Sequence, residues 1–145
     1  MTRSERMKVV QNHQQDKANK AAQVAVNSRN QLDVQNERLT QLASYREEYW
    51  QKYAASGGMN TARLQDFRSF ITRLDGAIEQ QRNVVAQAEV ECRNKQDEWL
   101  HERTREKAIG SAVDKIAHQE QVEKNRKEQK ALDEFGMKVR LSKVR

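Results

Sequence analysis

A seven-residue apolar repeat dominates the second half of the chain. It runs Leu64, Phe67, Ile71, Leu74, Ile78, Val85, Ala88, Cys92, Trp99, Ile109, Val113 and Ile116. Every one of these residues falls on one of two positions, separated alternately by three and four. That spacing is the a/d seam of a coiled coil, and it lasts well beyond the three to four heptads that define one. Gln81, Lys95, Glu102 and Glu106 occupy the same stripe, thinning the seam without shifting it. A helix of this length cannot bury such a stripe against itself, so another helix must lie along it.

The first half supplies that helix. Residues 3–55 contain neither glycine nor proline and carry a weaker heptad of Ala18, Ala21, Ala25, Leu32, Leu39, Leu42, Tyr49 and Tyr53. Ser28, Gln35 and Arg46 share its register. Before Ala18 the register holds Ser4, Met7, Gln11 and Gln14, too few apolar groups to keep that end from fraying. Between the halves lies Ser56-Gly57-Gly58-Met59-Asn60-Thr61, the one strong helix break. Gly57 is placed to supply a left-handed C-cap, and Asn60 or Thr61 to cap the next helix. So short a turn makes the two helices antiparallel neighbours. The expected fold is all-α, a long antiparallel two-helix coiled-coil hairpin forming one domain over residues 1–145. Helix one covers about 3–55, the turn 56–61 and helix two about 62–141, with a basic overhang from about residue 117.

Folding about the glycine pair brings together residues whose numbers sum to about 115. Ile116 then meets the N-terminus, after which the seam positions turn to Glu120, Glu123, Lys127 and Lys130. The apolar stripe therefore stops where its partner ends. The same rule sets Tyr45 against Phe70, Leu42 against Leu74 and Tyr49 against Phe67, with Ala77 beside them. Two helices cover only the seam, so part of this aromatic and aliphatic cluster is expected at the surface, where a charge-rimmed apolar patch marks a protein contact.

Charge singles out the other end. The chain carries a net +6, and residues 124–145 hold eight basic against three acidic side chains, a net of +5. These include Lys124, Arg126, Lys127, Lys130, Lys138, Arg140, Lys143 and Arg145, interleaved with a short apolar stripe of Leu132, Phe135 and Val139. A basic helix with an unpaired apolar stripe reads as a docking element for another protein. Phe135 is the only aromatic in the tail and acidic residues interrupt it, a poor match to the aromatic platforms of nucleic-acid binders, so no nucleic acid is expected.

Enzyme chemistry finds no support. His13, His101 and His118 are far apart along straight helices, and the glycine pair lacks the Lys-Ser/Thr of a phosphate-binding loop. No catalytic residue, metal site or cofactor is expected. Cys92 sits on the seam, a position that buries a thiol and keeps it inert. The N-terminus has no apolar leader segment, and no run is long enough to span a bilayer, so a cytoplasmic protein without direct membrane insertion is expected.

Three stretches carry a resemblance: YREEYW at 45–50, LQDFRSFITRLDGAIEQQR at 64–82 and ALDEFGMKVR at 131–140. They resemble the flagellar export protein FliJ family, and the length, the lack of proline and the helical order match as well. The resemblance implies an accessory of the flagellar type III export apparatus, similar to the central stalk of rotary ATPases. It implies that the chain ends enter the hexameric ring of the export ATPase and promote ring assembly. It also implies contact with the cytoplasmic linker of the export gate membrane protein and with export chaperones, and peripheral association with the inner face of the cell membrane. The implied gate-contact residues are Leu42, Tyr45, Tyr49, Phe70, Leu74 and Ala77. The flanking positions Arg38 and Gln81 depart from that pattern. The tail residues Lys124, Arg126, Lys127, Lys130, Leu132, Phe135 and Val139 are those expected at the ATPase ring. The corresponding stalk of a virulence secretion system shares the hairpin but usually lacks the stretches around Ala77 and Phe135. A basic coiled coil associated with nucleic acid is a further alternative.

Overall fold

The computed structural model describes residues 1–58 and 60–144; Met59 of the turn and Arg145 of the basic tail lie outside the described residues. The chain is two long helices, α1 (Arg3–Ala55) and α2 (Thr61–Val144), packed against each other as a hairpin. No strand occurs among the described residues.

Local chemistry accounts for the ends. Thr2 and Glu5 form a reciprocal capping box at the start of α1: the Glu5 amide donates to Thr2 Oγ1 at 3.2 Å, and the Thr2 amide donates to Glu5 Oε2 at 3.0 Å. At its end, the amide and hydroxyl of Ser56 both donate to the Tyr53 carbonyl, at 3.2 and 2.7 Å. Gly57 and Gly58 then reverse the chain with φ of +71° and +117°, a region that a side chain makes costly. Asn60 caps α2, its Oδ1 accepting from the Arg63 amide at 2.8 Å.

Two compact units are distinguished, residues 20–100 and residues 1–19 with 101–145. In residues 20–100 the seam is mostly apolar, with the Gln35–Gln81 pair as a polar layer. Leu32, Val85 and Cys92 form one buried cluster, with Leu39 and Ala88 packed on it. Phe67, Ile71 and Leu74 form a second, covered by Tyr49, Tyr53 and Phe70. Cys92 is buried, as its seam position requires.

In the other unit the seam is mixed. Ala18 and Val113 are buried, but so are Ser4 and Gln14. Polar pairs hold this end of α1 to α2, and it is helical from Arg3. Gln14 Nε2 donates to the Glu102 carbonyl oxygen at 3.0 Å and to its carboxylate at 2.6 Å. The Ser4 amide and hydroxyl both donate to the Glu120 carboxylate. Contact with α1 thus extends to Glu120, beyond the start of the overhang expected from the pairing arithmetic. Glu120 lies one turn past Ile116, and a helical side chain leans toward the N-terminus of its own helix, which brings its carboxylate back to the end of α1. From residue 121 to 144, α2 is exposed throughout except at Gly136.

Candidate protein-docking face

The aromatic cluster near the turn follows the expected pairing. Tyr45 and Phe70 meet edge to face with ring centroids 6.2 Å apart. Tyr49 stacks on Phe67 at 5.4 Å and leans on Phe70 at 4.4 Å. Edge-to-face and offset-stacked rings at such separations are the favoured aromatic arrangements. Exposure divides the expected face. Tyr45 is 50% exposed, Leu42, Tyr49, Phe70 and Ala77 are partly buried, and Leu74 is buried at 8%. Leu74 therefore lies in the buried layer, and Tyr45 is the most accessible of the six.

Two aromatic neighbours were not singled out by the pairing rule. Tyr53 stacks on Phe67 with centroids 3.9 Å apart, and Trp50, 45% exposed, lies 5.5 Å from Phe67. Trp50 is off the heptad, on the flank of α1 away from Tyr45, so seam arithmetic does not reach it. Arg46 crosses to Asp75 on α2, and this carboxylate, by hydrogen bond and charge, raises the guanidinium pKa. Of the flanking positions, Gln81 is turned into the seam, where its amide donates to Gln35; Arg38 is exposed.

The tail residues form no such cluster. Lys124, Arg126, Lys127, Lys130, Leu132, Phe135 and Val139 all lie on the exposed part of α2. Leu132 and Phe135 are 65% and 67% exposed, and Met137 and Leu141 are comparably open. Around an ideal helix, Leu132, Phe135 and Val139 share one side, while Met137 and Leu141 lie on the other.

Among the described residues, one open groove of about 350 Å³ is lined by Ala22, Ala25, Val26, Trp99 and Leu100. Among the described residues no group of three or more His, Cys, Asp or Glu side chains is placed to hold a metal ion. Among the described residues no helix is long and apolar enough to cross a membrane.

These features define a coiled-coil hairpin that offers side chains along its surface rather than a cavity. A family model described as the flagellar FliJ protein matches residues 3–143, nearly the whole chain. The chain belongs to the FliJ family, and is thereby a protein of flagellar type III export. No curated protein and no solved structure matches it significantly.

Proposed function

We propose that the protein is a stalk-like, non-enzymatic accessory of the flagellar export apparatus that links the export ATPase to the membrane export gate. On this reading it acts in the cytoplasm, at the inner face of the membrane, and is held there by its partners. The gate contact is made through Tyr45, with Leu42, Tyr49, Phe70 and Ala77 around it and Leu74 beneath. The cross-helix contact of Tyr45 with Phe70 carries this reading. It sets an aromatic ring at the surface of a chain only 6% aromatic, and supports it with a buried layer. Exposed aromatics of this kind dominate binding at small interfaces.

The exposed, basic end of α2 is the element assigned to the ATPase ring and its assembly. Its positive charge and sparse apolar residues favour a shallow, mobile contact inside a ring over a large apolar one. Export chaperones are further partners implied by the family. The test is capture of the cytoplasmic linker of the export gate by the full chain. The pair Tyr45→Ala and Phe70→Ala should weaken capture while circular dichroism keeps its helical signal. Capture at wild-type strength by that helical double variant would refute the face.

A further inference from the structure

We propose that two glutamine clamps choose the alignment of the two helices, a choice that the heptad seam leaves open. Gln35 and Gln81 make the first clamp. Gln81 Nε2 donates to the backbone carbonyl of Gln35 at 3.0 Å and to its side-chain oxygen at 2.8 Å. Gln14 and Glu102 make the second, in the same way: Gln14 Nε2 donates to the Glu102 carbonyl at 3.0 Å and to its carboxylate at 2.6 Å. In both, one helix supplies an amide and the other supplies a main-chain and a side-chain oxygen of a single residue. The residue numbers sum to 116 in each case, and 21 residues, three heptads, separate Gln14 from Gln35 and Gln81 from Glu102.

An apolar seam repeats every seven residues, so sliding by one heptad exchanges like for like. Such a slide would set Leu39 opposite Val84 and bring Leu32 level with Cys92, apolar against apolar. The clamps are not degenerate in that way. The same slide sets Gln35 opposite Ala88, Gln81 opposite Leu42 and Gln14 opposite Ile109. Each amide would then be enclosed without its two acceptors, and an unsatisfied buried donor is among the costliest defects in a seam. In the observed alignment no described buried side-chain nitrogen or oxygen lacks a partner. Polar residues at seam positions are the best-attested means of fixing register in coiled coils. Here the device is doubled, one clamp in each compact unit. Alignment in turn decides which rings meet, since a one-heptad slide would carry Tyr45 past Phe70 to the level of Ala77.

Disulfide reporters read the alignment directly. In the full chain carrying Cys92→Ser, Ser28→Cys with Ala88→Cys reports the observed register, and Ser28→Cys with Lys95→Cys reports the one-heptad slide. Crosslinking is done at high dilution to keep it within one molecule. With the clamps intact, the Ala88 position should crosslink in preference to the Lys95 position by about tenfold or more, the equivalent of one unsatisfied buried amide. Adding Gln14→Leu, Gln35→Leu, Gln81→Leu and Glu102→Leu should bring the two yields close to equality while helicity is kept. Unchanged preference in the helical fourfold variant overturns the proposal, because turn and apolar layers would then suffice. Loss of helicity in both the fourfold variant and the Gln35→Leu, Gln81→Leu variant also overturns it, since the amides would be supporting the helices rather than choosing their alignment.

Discussion

Phe67 of α2 lies parallel to Tyr53 of α1, ring centroids 3.9 Å apart and planes 16° from coplanar. Tyr49 stacks on the same phenylalanine, so a single buried ring organises the aromatic layer beside the turn. Phe67→Ala removes this layer's centre. It should cost about 3–5 kcal/mol of unfolding free energy, read by denaturant titration. A loss below 1 kcal/mol would show that the stack is not what holds this end together.

The ion pair between Arg46 and Asp75 is partly open to solvent, with about a third to a half of each side chain exposed. Solvent screening leaves such pairs with a small coupling. A double-mutant cycle with Arg46→Ala and Asp75→Ala should return a small coupling that shrinks further as salt is added.

Two seam carboxylates give the hairpin an acid limit. The Gln14 amide holds the Glu102 pKa below its ordinary value, and the Ser4 hydroxyl and amide do the same for Glu120. A depressed carboxylate stabilises the fold above its unfolded pKa of about 4.3 and loses that contribution as pH falls through the folded value. Stability measured from pH 7 downward should hold to about pH 5 and then decline, with residues 1–19 exchanging their amide hydrogens first. Glu102→Gln with Glu120→Gln should remove part of the decline.

Glycines in the turn and in the helix should respond oppositely. Gly58 has φ of +117°, so Gly58→Ala should cost about 1–2 kcal/mol in thermal melts. Gly76 is helical, and an added methyl group there meets nothing within 4 Å, so Gly76→Ala should gain about 0.5–1 kcal/mol.

Charge reversal in the tail tests its assignment to the export ATPase. Lys124, Arg126 and Lys127 are exposed and contribute nothing to the hydrophobic clusters. Changing all three to Glu should leave stability within about 0.5 kcal/mol. It should lower stimulation of the ATPase when the two proteins are mixed. Undiminished stimulation would remove these cations from the proposed contact.

Much of the fold is legible in the chain itself. The seam from Leu64 to Ile116, the helix from Arg3 to Ala55 and the paired glycines require an antiparallel hairpin, because apolar spacing and a single break leave few other ways to bury the stripe. The meeting of Tyr45 with Phe70 and of Tyr49 with Phe67 also follows from counting outward from the turn. The same counting sets Gln35 against Gln81 and Gln14 against Glu102, but on the seam these read only as weak points. The tertiary structure alone shows them as satisfied pairs, extends contact to Glu120 and separates exposed Tyr45 from buried Leu74. The reason is geometric. Heptad spacing specifies the direction in which each side chain leaves its helix, whereas hydrogen bonding and exposure depend on how far it reaches and what the opposite backbone presents there.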